Sequence, residues 1–570
     1  MKNWRINLIL FFIFLFAATI ISRLIFLQII NQDYWQALAK GQQKYFAPLP
    51  ADRGEVFLKD KDNNLYSLAI NKEWNLVYAV PNEVKNKEET AQALSQILKL
   101  DETQLDSASP KDFILSKLQE ENLYEVIKNK LTDQEVEDIK KLNLAGIYLS
   151  KSTGRFYPQE TLASQVIGFL SGDGQGQYGI EDYYNDILAG QEGFQEGERS
   201  ARGFFLPFAE NSSPAKKGEN LVLTIDYNIQ FLAEKLLKKA KENLEIEEGQ
   251  IIVMDPNSGK ILALANFPTF DPNKYSEVKE IGVFQDGAIQ KIYEPGSVFK
   301  PITMAGALEE GKITPETTYV DSGSLKVGGY TVYNYDGRTW GKRTMTEVLE
   351  KSINTGAVFA ERQLGNDLFL EYIKKFGFFE LTGVDLEGEI FSENKEFKEG
   401  YEINFTTASF GQGIEMTPLQ LARAFSAIAN GGKLVKPYIV ENSPINNNNS
   451  SEKETQVISS NTAYHLTSML VSTVENGYAN RAKITGYFIA GKTGTAQVSW
   501  PALGIQKSGY SDKTIQTFIG FAPAFNPKFV ILVKLNNPNI KTAEYSAAPI
   551  FKDLASYIID YYQIPPDYKE

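Results

Sequence analysis

Residues Ile6 to Ile21 are apolar except for one amide and one threonine, and a second apolar run, Leu24–Ile30, follows Ser22 and Arg23. A helix needs about 20 apolar residues to cross a bilayer core. The first run reaches that length when Arg23 lifts its charge to the interface. Lys2 and Arg5 precede it, which places the N-terminus in the cytoplasm and the rest of the chain outside. The stretch is longer than a secretory h-region and no small-x-small cleavage site follows, so the pattern predicts an uncleaved signal anchor. It is apolar on all sides, which argues against a buried helix of a soluble protein.

From Gln32 to Pro81 short β-like runs such as Trp74–Val80 flank a polar turn at Lys59–Asn64. From Glu83 to Leu144 the text is charged and helix-periodic, with ETAQALSQILKL, FILSKLQEENLYEVIKNKL and TDQEVEDIKKLN as three helical runs. Phe113, Leu115, Leu118 and Leu123 fall near helical spacing, and Pro110 and Thr132 stand where helices begin. The glycine-rich GDGQGQYG (172–179) reads as a flexible connector, because a phosphate loop needs a strand before it. A second style begins near Gly218. LVLTID (221–226) reads as a strand, and 227–244 as a helix capped by Asp226. GQIIVMD and KILALANF form a hairpin around Pro256–Gly259. FVILVKL (529–535) is a late strand and 551–562 a closing helix, while NNNNSS (446–451) is a low-complexity surface loop. Antiparallel strands bracketed by helices predict an α/β (α+β) catalytic domain of about 350 residues.

The length of 570 residues allows about three to five domains. The net charge of −13 argues against a general nucleic-acid binder, which needs a basic face. No cysteine is present, so disulfides, zinc–thiolate sites and a cysteine nucleophile are excluded. With one histidine, His465, a three-histidine metal site is impossible, and no metal or cofactor is expected. His465 itself reads as an ordinary helix residue.

Three short elements carry the chemistry. In YEPGSVFKP, Pro295-Gly296 breaks the chain, and Ser297 opens a helical run with Lys300 three residues later. At that spacing hydroxyl and amine share one face. A serine is a weak nucleophile without a base, and with one histidine in the chain a lysine is the natural candidate. To act it must be neutral, which burial and a second cation achieve. The second element is Ser352-Ile353-Asn354 and the third Lys492-Thr493-Gly494-Thr495. S-x-x-K recurs at Ser213, Ser276, Ser392 and Ser450, and S-x-N at Ser392 and Ser459, whereas K-T-G occurs once. In order, the three match the constellation of serine acyltransferases that react with penicillin.

With these residues the chain resembles the class B penicillin-binding proteins, the bitopic D,D-transpeptidases of bacterial cell-wall synthesis. The likeness extends to Arg53-Gly54, GRFYPQE (154–160), GQYGIEDYYNDILAG (176–190), LTIDYNIQ (223–230), FPTFDPNKY (267–275) and FGQGIEMTPLQLA (410–422). It implies a transmembrane anchor (1–30), an elongated non-catalytic pedestal or dimerisation domain (31–217), and a transpeptidase domain (218–570) of the β-lactamase-like fold, with an antiparallel sheet between helical layers. It also implies that Ser297 attacks the penultimate D-Ala carbonyl of a stem peptide and that Lys300 is its base. Ser352 relays a proton to the leaving amine, and Asn354 holds Lys300 and the substrate amide. Thr493 and Thr495 bind the substrate carboxylate, with Gly494 beside them in the substrate-binding segment, and Lys492 supplies positive potential for that carboxylate and helps depress the pKa of Lys300. The N–H groups of Ser297 and Thr495 form the oxyanion hole, in which losing one donor costs about 3–4 kcal/mol of barrier. A peptide is expected to pair along the edge of the Lys492 strand. Ile353 fills the middle of S-x-N, a place often small or polar. The implied partners are stem peptides ending in D-Ala-D-Ala, β-lactams, the membrane and a separate membrane glycan polymerase, with no nucleic acid. The implied setting is a single pass through the cytoplasmic membrane with the catalytic domain outside, in division or cell-shape synthesis.

Three other readings compete. Residues 486–493 fit the P-loop pattern G-x-x-x-x-G-K-[ST], but their middle is bulky and apolar and a strand follows. A β-lactam hydrolase or sensor, or a non-enzymatic scaffold of the division or elongation machinery, shares the fold without the transfer step.

Overall fold

A computed structural model describes residues 4–30, 32, 44–100, 105, 108–120, 122, 124–199, 205–441, 443 and 455–569. Lys2, Leu123 and the 446–451 loop lie outside them. The described chain divides into two compact units, Met1–Gly54 with Asp186–Glu219, and Glu55–Asn185 with Asn220–Glu570.

In the first unit the two apolar runs form one helix, Trp4–Ile25, which ends in a π-helical turn, Phe26–Ile30. Ser22 and Arg23 do not interrupt it. At 1.5 Å per residue a helix of 22 residues is about 33 Å long, the depth of a bilayer core. Phe11, Phe14 and Phe16 are exposed, so among the described residues no protein surface covers these three rings. The unit also holds a three-stranded antiparallel sheet of Lys44–Leu49, Gly193–Arg199 and Phe205–Ser213, with Gly193–Arg199 in the middle.

The second unit opens on strands Val56–Lys59, Leu65–Ala79, Glu125–Leu131 and Ile147–Phe156, with Leu221–Asp226 added parallel to Val56–Lys59. Three helices cover them. Lys87–Ile97 is capped by Asn86, Pro110–Gln119 by Ser109 with proline in its first turn, and Asp133–Leu142 by a Thr132/Glu135 capping box. Leu94, Ile114, Leu118 and Ile139 pack on Val77, Ile127 and Leu131 as one core. One expectation fails. The run from Phe113 to Leu131 is not a single helix, because the helix ends at Gln119 and Glu125–Leu131 is a strand. Its buried residues, Ile127 and Leu131, are four apart. That interval fits both a helical face and a strand face, so periodicity alone could not separate them.

The segments outside the catalytic motifs interlock. Arg155 Nε donates to Glu181 Oε1 at 2.6 Å, both side chains being buried, and the Tyr157 hydroxyl donates to the same oxygen at 3.2 Å. Asn273 accepts from Tyr157 N at 3.0 Å and donates to its carbonyl at 2.9 Å. The Tyr184 hydroxyl donates to Asp385 Oδ2 at 2.9 Å. These residues therefore brace the unit rather than do chemistry. Replacing Glu181 with alanine removes the carboxylate facing a buried guanidinium and is expected to cost about 3–5 kcal/mol in urea unfolding. The 172–179 stretch is also more than a connector. Ser171 N and Oγ both donate to the Gln175 carbonyl, closing a turn that leads into the helix Gly179–Tyr183.

The largest layer is a five-stranded sheet. Its strands, numbered here within the sheet, are β1 (Glu248–Met254), β2 (Ile261–Phe267), β3 (Ala490–Ser499), β4 (Tyr510–Ala522) and β5 (Phe529–Asn536). The order is β2-β1-β5-β4-β3 and every pairing is antiparallel. The helices are α1 (Tyr227–Leu244), α2 (Lys300–Glu309), α3 (Asn354–Leu364), α4 (Pro418–Ala429), α5 (Ser460–Asn476) and α6 (Ala547–Tyr561). Asp226 caps α1, accepting from the N–H groups of Asn228 and Ile229. Ile251, Val253, Ile531 and Val533 point into one core with α1 and α6. Their alternating neighbours Ile252, Met254, Val530 and Leu532 are equally buried and face the opposite side, where α4 and α5 pack. A strand covered on both faces loses its polar alternation, which is why FVILVKL reads as continuously apolar. Phe518 and Phe551 meet at 4.6 Å between ring centroids, each fully buried. Such a side chain contributes about 1.5–3 kcal/mol.

Candidate active site

Pro295 and Gly296 end the preceding chain, and Gly296–Phe299 forms a 3₁₀ turn that feeds α2. Lys300 N donates to the Ser297 carbonyl, so the two residues close one turn. In a 3₁₀ turn side chains at i and i+3 eclipse, which puts them on the same side. Two contacts hold this turn in place. Gly296 N donates to the Gly411 carbonyl at 2.9 Å, and Gly494 of β3 packs on Pro295 and Val298. A Cβ on Gly411, whose φ is +80°, lies 2.0 Å from the Gly296 carbonyl oxygen. Gly411→Ala is therefore expected to push the Ser297 turn aside, lowering the melting temperature and slowing penicillin acylation at least about tenfold. The backbone strain alone is of order 1–3 kcal/mol.

Ser352-Ile353-Asn354 joins the helix Met345–Glu350 to α3. Ser352 has φ +54°, an uncommon left-handed conformation for a side-chain-bearing residue. Ile353 is 1% exposed and points into the core, so its bulk stays out of the cleft. Lys300 Nζ donates to the Ser352 carbonyl at 2.5 Å and to Asn354 Oδ1 at 2.8 Å, with Ser352 Oγ at 3.3 Å. Lys492 Nζ, from β3, donates to Ser352 Oγ at 3.0 Å and to the Thr493 carbonyl at 3.0 Å. Two buried lysines thus converge on one hydroxyl. Burial lowers Lys300 well below the ordinary lysine range, and the charge of Lys492 lowers it further. Burial alone brings Lys492 down to about 7. The sequence paired Lys300 with Ser297. The structure hydrogen-bonds it to Asn354, as the resemblance implied, and to Ser352, and among the described residues Ser297 Oγ makes no hydrogen bond. Thr495 Oγ1 accepts from Ala543 N at 3.2 Å.

β3 is the last strand of the sheet, so its outer backbone edge is open to an added strand. Gly491-Lys492-Thr493 lies inside this strand, where a phosphate-cradling loop followed by a helix has no place. That removes the P-loop reading. His465 lies half-buried on α5.

Other contributors were not singled out from sequence. The Tyr333 carbonyl accepts from Asn354 Nδ2 at 2.9 Å, and the Thr473 hydroxyl donates to the Gly491 carbonyl. Both act through backbone carbonyls of distant segments, which leave no motif. Gly411 sat in a quoted segment, but its close approach to the Ser297 turn needs coordinates.

Residues 249–556 match the family described as the penicillin binding protein transpeptidase domain, and residues 48–223 match the penicillin-binding protein dimerisation domain. Stage V sporulation protein D of Bacillus subtilis (strain 168) is 32% identical, over 96% of this chain and 85% of that protein. The probable peptidoglycan D,D-transpeptidase PenA of Neisseria meningitidis serogroup A is 30% identical, over 94% and 89%. Among solved structures, penicillin binding protein 3 from Mycobacterium tuberculosis, complexed with aztreonam, superposes with a TM-score of 0.66 at 27% identity, covering 92% of this chain and 98% of that one. The chain belongs to the class B penicillin-binding proteins and is a peptidoglycan transpeptidase.

Proposed function

We propose that Ser297 is the nucleophile of a D,D-transpeptidation that cross-links stem peptides. The observation that carries this reading is the pair of buried lysines meeting at Ser352 beside the Ser297 turn. A neutral Lys300 spends two N–H bonds on the Ser352 carbonyl and Asn354 Oδ1. Its lone pair is then left for the proton of Ser297. The Ser297 oxygen attacks the carbonyl of the penultimate D-Ala, and the oxyanion rests on the N–H groups of Ser297 and Thr495. Collapse breaks the C–N bond. Ser352, bridged to both lysines, passes a proton to the departing D-Ala amine. Lys300 reprotonates Ser352. An acceptor amine from a second stem then attacks the ester and yields its proton through Ser352 to Lys300, and Lys300 gives it to Ser297 as the ester C–O bond breaks. Lys492, Thr493, Gly494 and Thr495 hold the terminal carboxylate, with the stem laid along the β3 edge.

In this reading residues 218–570 are the transpeptidase domain, 31–217 the non-catalytic pedestal, and the N-terminal helix a single-pass anchor in the cytoplasmic membrane with the rest outside. The glycan strand comes from a separate membrane polymerase bound to the anchor or pedestal. β-Lactams acylate Ser297 as mimics of D-Ala-D-Ala. The test is incubation of the full-length protein with a fluorescent penicillin and peptide mapping of the adduct. A stable adduct on the peptide containing Ser297 supports the proposal. No adduct supports the scaffold reading, and an adduct that turns over rapidly supports a hydrolase.

A further inference from the structure

Asp321 closes the short strand Thr318–Asp321 and is 2% exposed. Its carboxyl collects four donors, none of them charged. Oδ1 accepts from Gly323 N at 2.9 Å and from the Thr355 hydroxyl at 2.6 Å. Oδ2 accepts from Trp340 N at 2.7 Å. Asn334 Nδ2 spans both oxygens, at 3.0 and 2.9 Å. Burial pushes the Asp321 carboxyl up, but the bonds from Thr355, Gly323, Trp340 and Asn334 outweigh it and hold the group below the ordinary carboxylate range. Asp321 is therefore an anion at working pH, and a carboxylate holds its donors more firmly than a neutral acceptor does.

Two of those donors stand next to residues that handle Lys300. Thr355 follows Asn354, and Asn334 follows Tyr333. The Asn354 amide is gripped at both ends. Its Nδ2 donates to the Tyr333 carbonyl at 2.9 Å, and its Oδ1 accepts from Lys300 Nζ at 2.8 Å. Asn334 Oδ1 also accepts from Thr355 N, at 3.1 Å. That bond caps α3 from outside the helix, because the residue before it, Ile353, has no side-chain acceptor for the first-turn N–H groups. Asn334 is 4% exposed and Thr355 7%, so both act through the residues they hold. Ser352, two positions before Asn354, carries the left-handed φ of +54°. Strain of that kind persists only where the surroundings over-determine the backbone. The Asp321 network supplies that constraint from the far side of Asn354.

We infer that Asp321 is a positioning residue of the transpeptidase reaction: through Asn334 and Thr355 it fixes Asn354, and Asn354 aims the lone pair of Lys300 at Ser297. The inference rests on the reading of Ser297 as nucleophile and Lys300 as its base. With Asn354 free to turn, Lys300 loses the acceptor that orients it, and proton transfer slows while binding does not.

The test is rapid-mixing acylation of full-length protein in detergent by a fluorescent penicillin, read as a maximal rate and a half-saturating concentration. Asp321→Asn keeps the side-chain shape and turns one acceptor into a donor. It is expected to lower the maximal rate at least about tenfold, a part of the roughly 10²–10⁴-fold worth of a positioned base, and to change the half-saturating concentration by less than about twofold. In an Asn354→Ala background the same substitution is expected to cost less than about twofold further, since the group it acts through is already gone. A loss that is merely structural multiplies equally in both backgrounds. Where Asp321→Asn does not fold, Thr355→Val and Thr355→Ser decide. The first removes the hydroxyl and should slow the maximal rate, and the second keeps it and should retain the rate. Folded Asp321→Asn at the parental rate, a loss carried by the half-saturating concentration, equal costs in the two backgrounds, or Thr355→Val as fast as Thr355→Ser each overturn the inference. Any of these with parental protein labelled on Ser297 sinks the role of Asp321 alone, whereas absence of parental labelling sinks the Ser297 reading with it.

Discussion

Full-length protein carrying Ser297→Ala is expected to take up no penicillin covalently and to release no D-alanine, while unfolding with the parent. Removing an attacking nucleophile costs about 10⁴-fold or more in rate, because binding and the oxyanion hole alone remain. The fold should not notice. The Ser297 side chain is half-buried and its hydroxyl makes no hydrogen bond among the described residues, so the substitution orphans no partner. The comparison decides between serines as well. Of the other S-x-x-K serines within the described residues, Ser392 donates to Glu415, and neither Ser213 nor Ser276 is hydrogen-bonded to a lysine. Penicillin adduct persisting in the Ser297→Ala variant, located by mass spectrometry, would move the nucleophile elsewhere.

Lys300→Arg is expected to lower acylation by about 10²–10⁴-fold, the usual worth of a positioned general base. A guanidinium stays protonated at any working pH, so it cannot receive the Ser297 proton. The wild-type pH profile follows from the same chemistry. In the proposed reaction acylation needs Lys300 neutral, and burial plus Lys492 hold its pKa well below the ordinary range. The rate therefore falls as pH drops through that lowered value. In the same proposal Lys492 must stay charged to attract a carboxylate, and burial brings it to about 7. The rate accordingly falls again as pH rises past about 7. The pair titrates as a unit, so the two limbs belong to the cluster. Lys492→Met is expected to abolish the alkaline limb. It also removes a like charge from beside Lys300, so the acid limb moves to higher pH. A profile of kcat/KM for penicillin with its acid limb unmoved in Lys492→Met would separate the two lysines energetically. The burial of Lys492 has a stability counterpart. Between about 7 and the ordinary lysine range the unfolded chain binds more protons than the native one, so this group's contribution to stability rises with pH across that window.

Much of the architecture can be read from local chemistry. Asp226, Ser109 with Pro110, and Thr132 with Glu135 announce helix starts because a cap acts within four residues of itself. The hairpin of β1 and β2 is local for the same reason. The error fell at Glu125–Leu131, where two buried residues four apart satisfy helix and strand alike and only pairing with Leu65–Ala79 chooses. The likeness of Ile127 to a helical residue was real at the level of pattern and irrelevant at the level of packing.

The site divides along the same line. The ordered motifs placed Ser297, Lys300, Ser352, Asn354 and Lys492 in one reaction before any geometry was known, because residue types and their order set what chemistry a chain can attempt. Folding alone brought residues 300, 352 and 492 onto one hydroxyl. The same holds for the Tyr333 and Gly491 carbonyls and for the seat of Gly411 beneath the Ser297 turn. These depend on contacts between residues 18 to 140 positions apart and on how dry the site becomes. A burial-driven pKa is a property of surroundings, and no stretch of sequence carries its own surroundings with it.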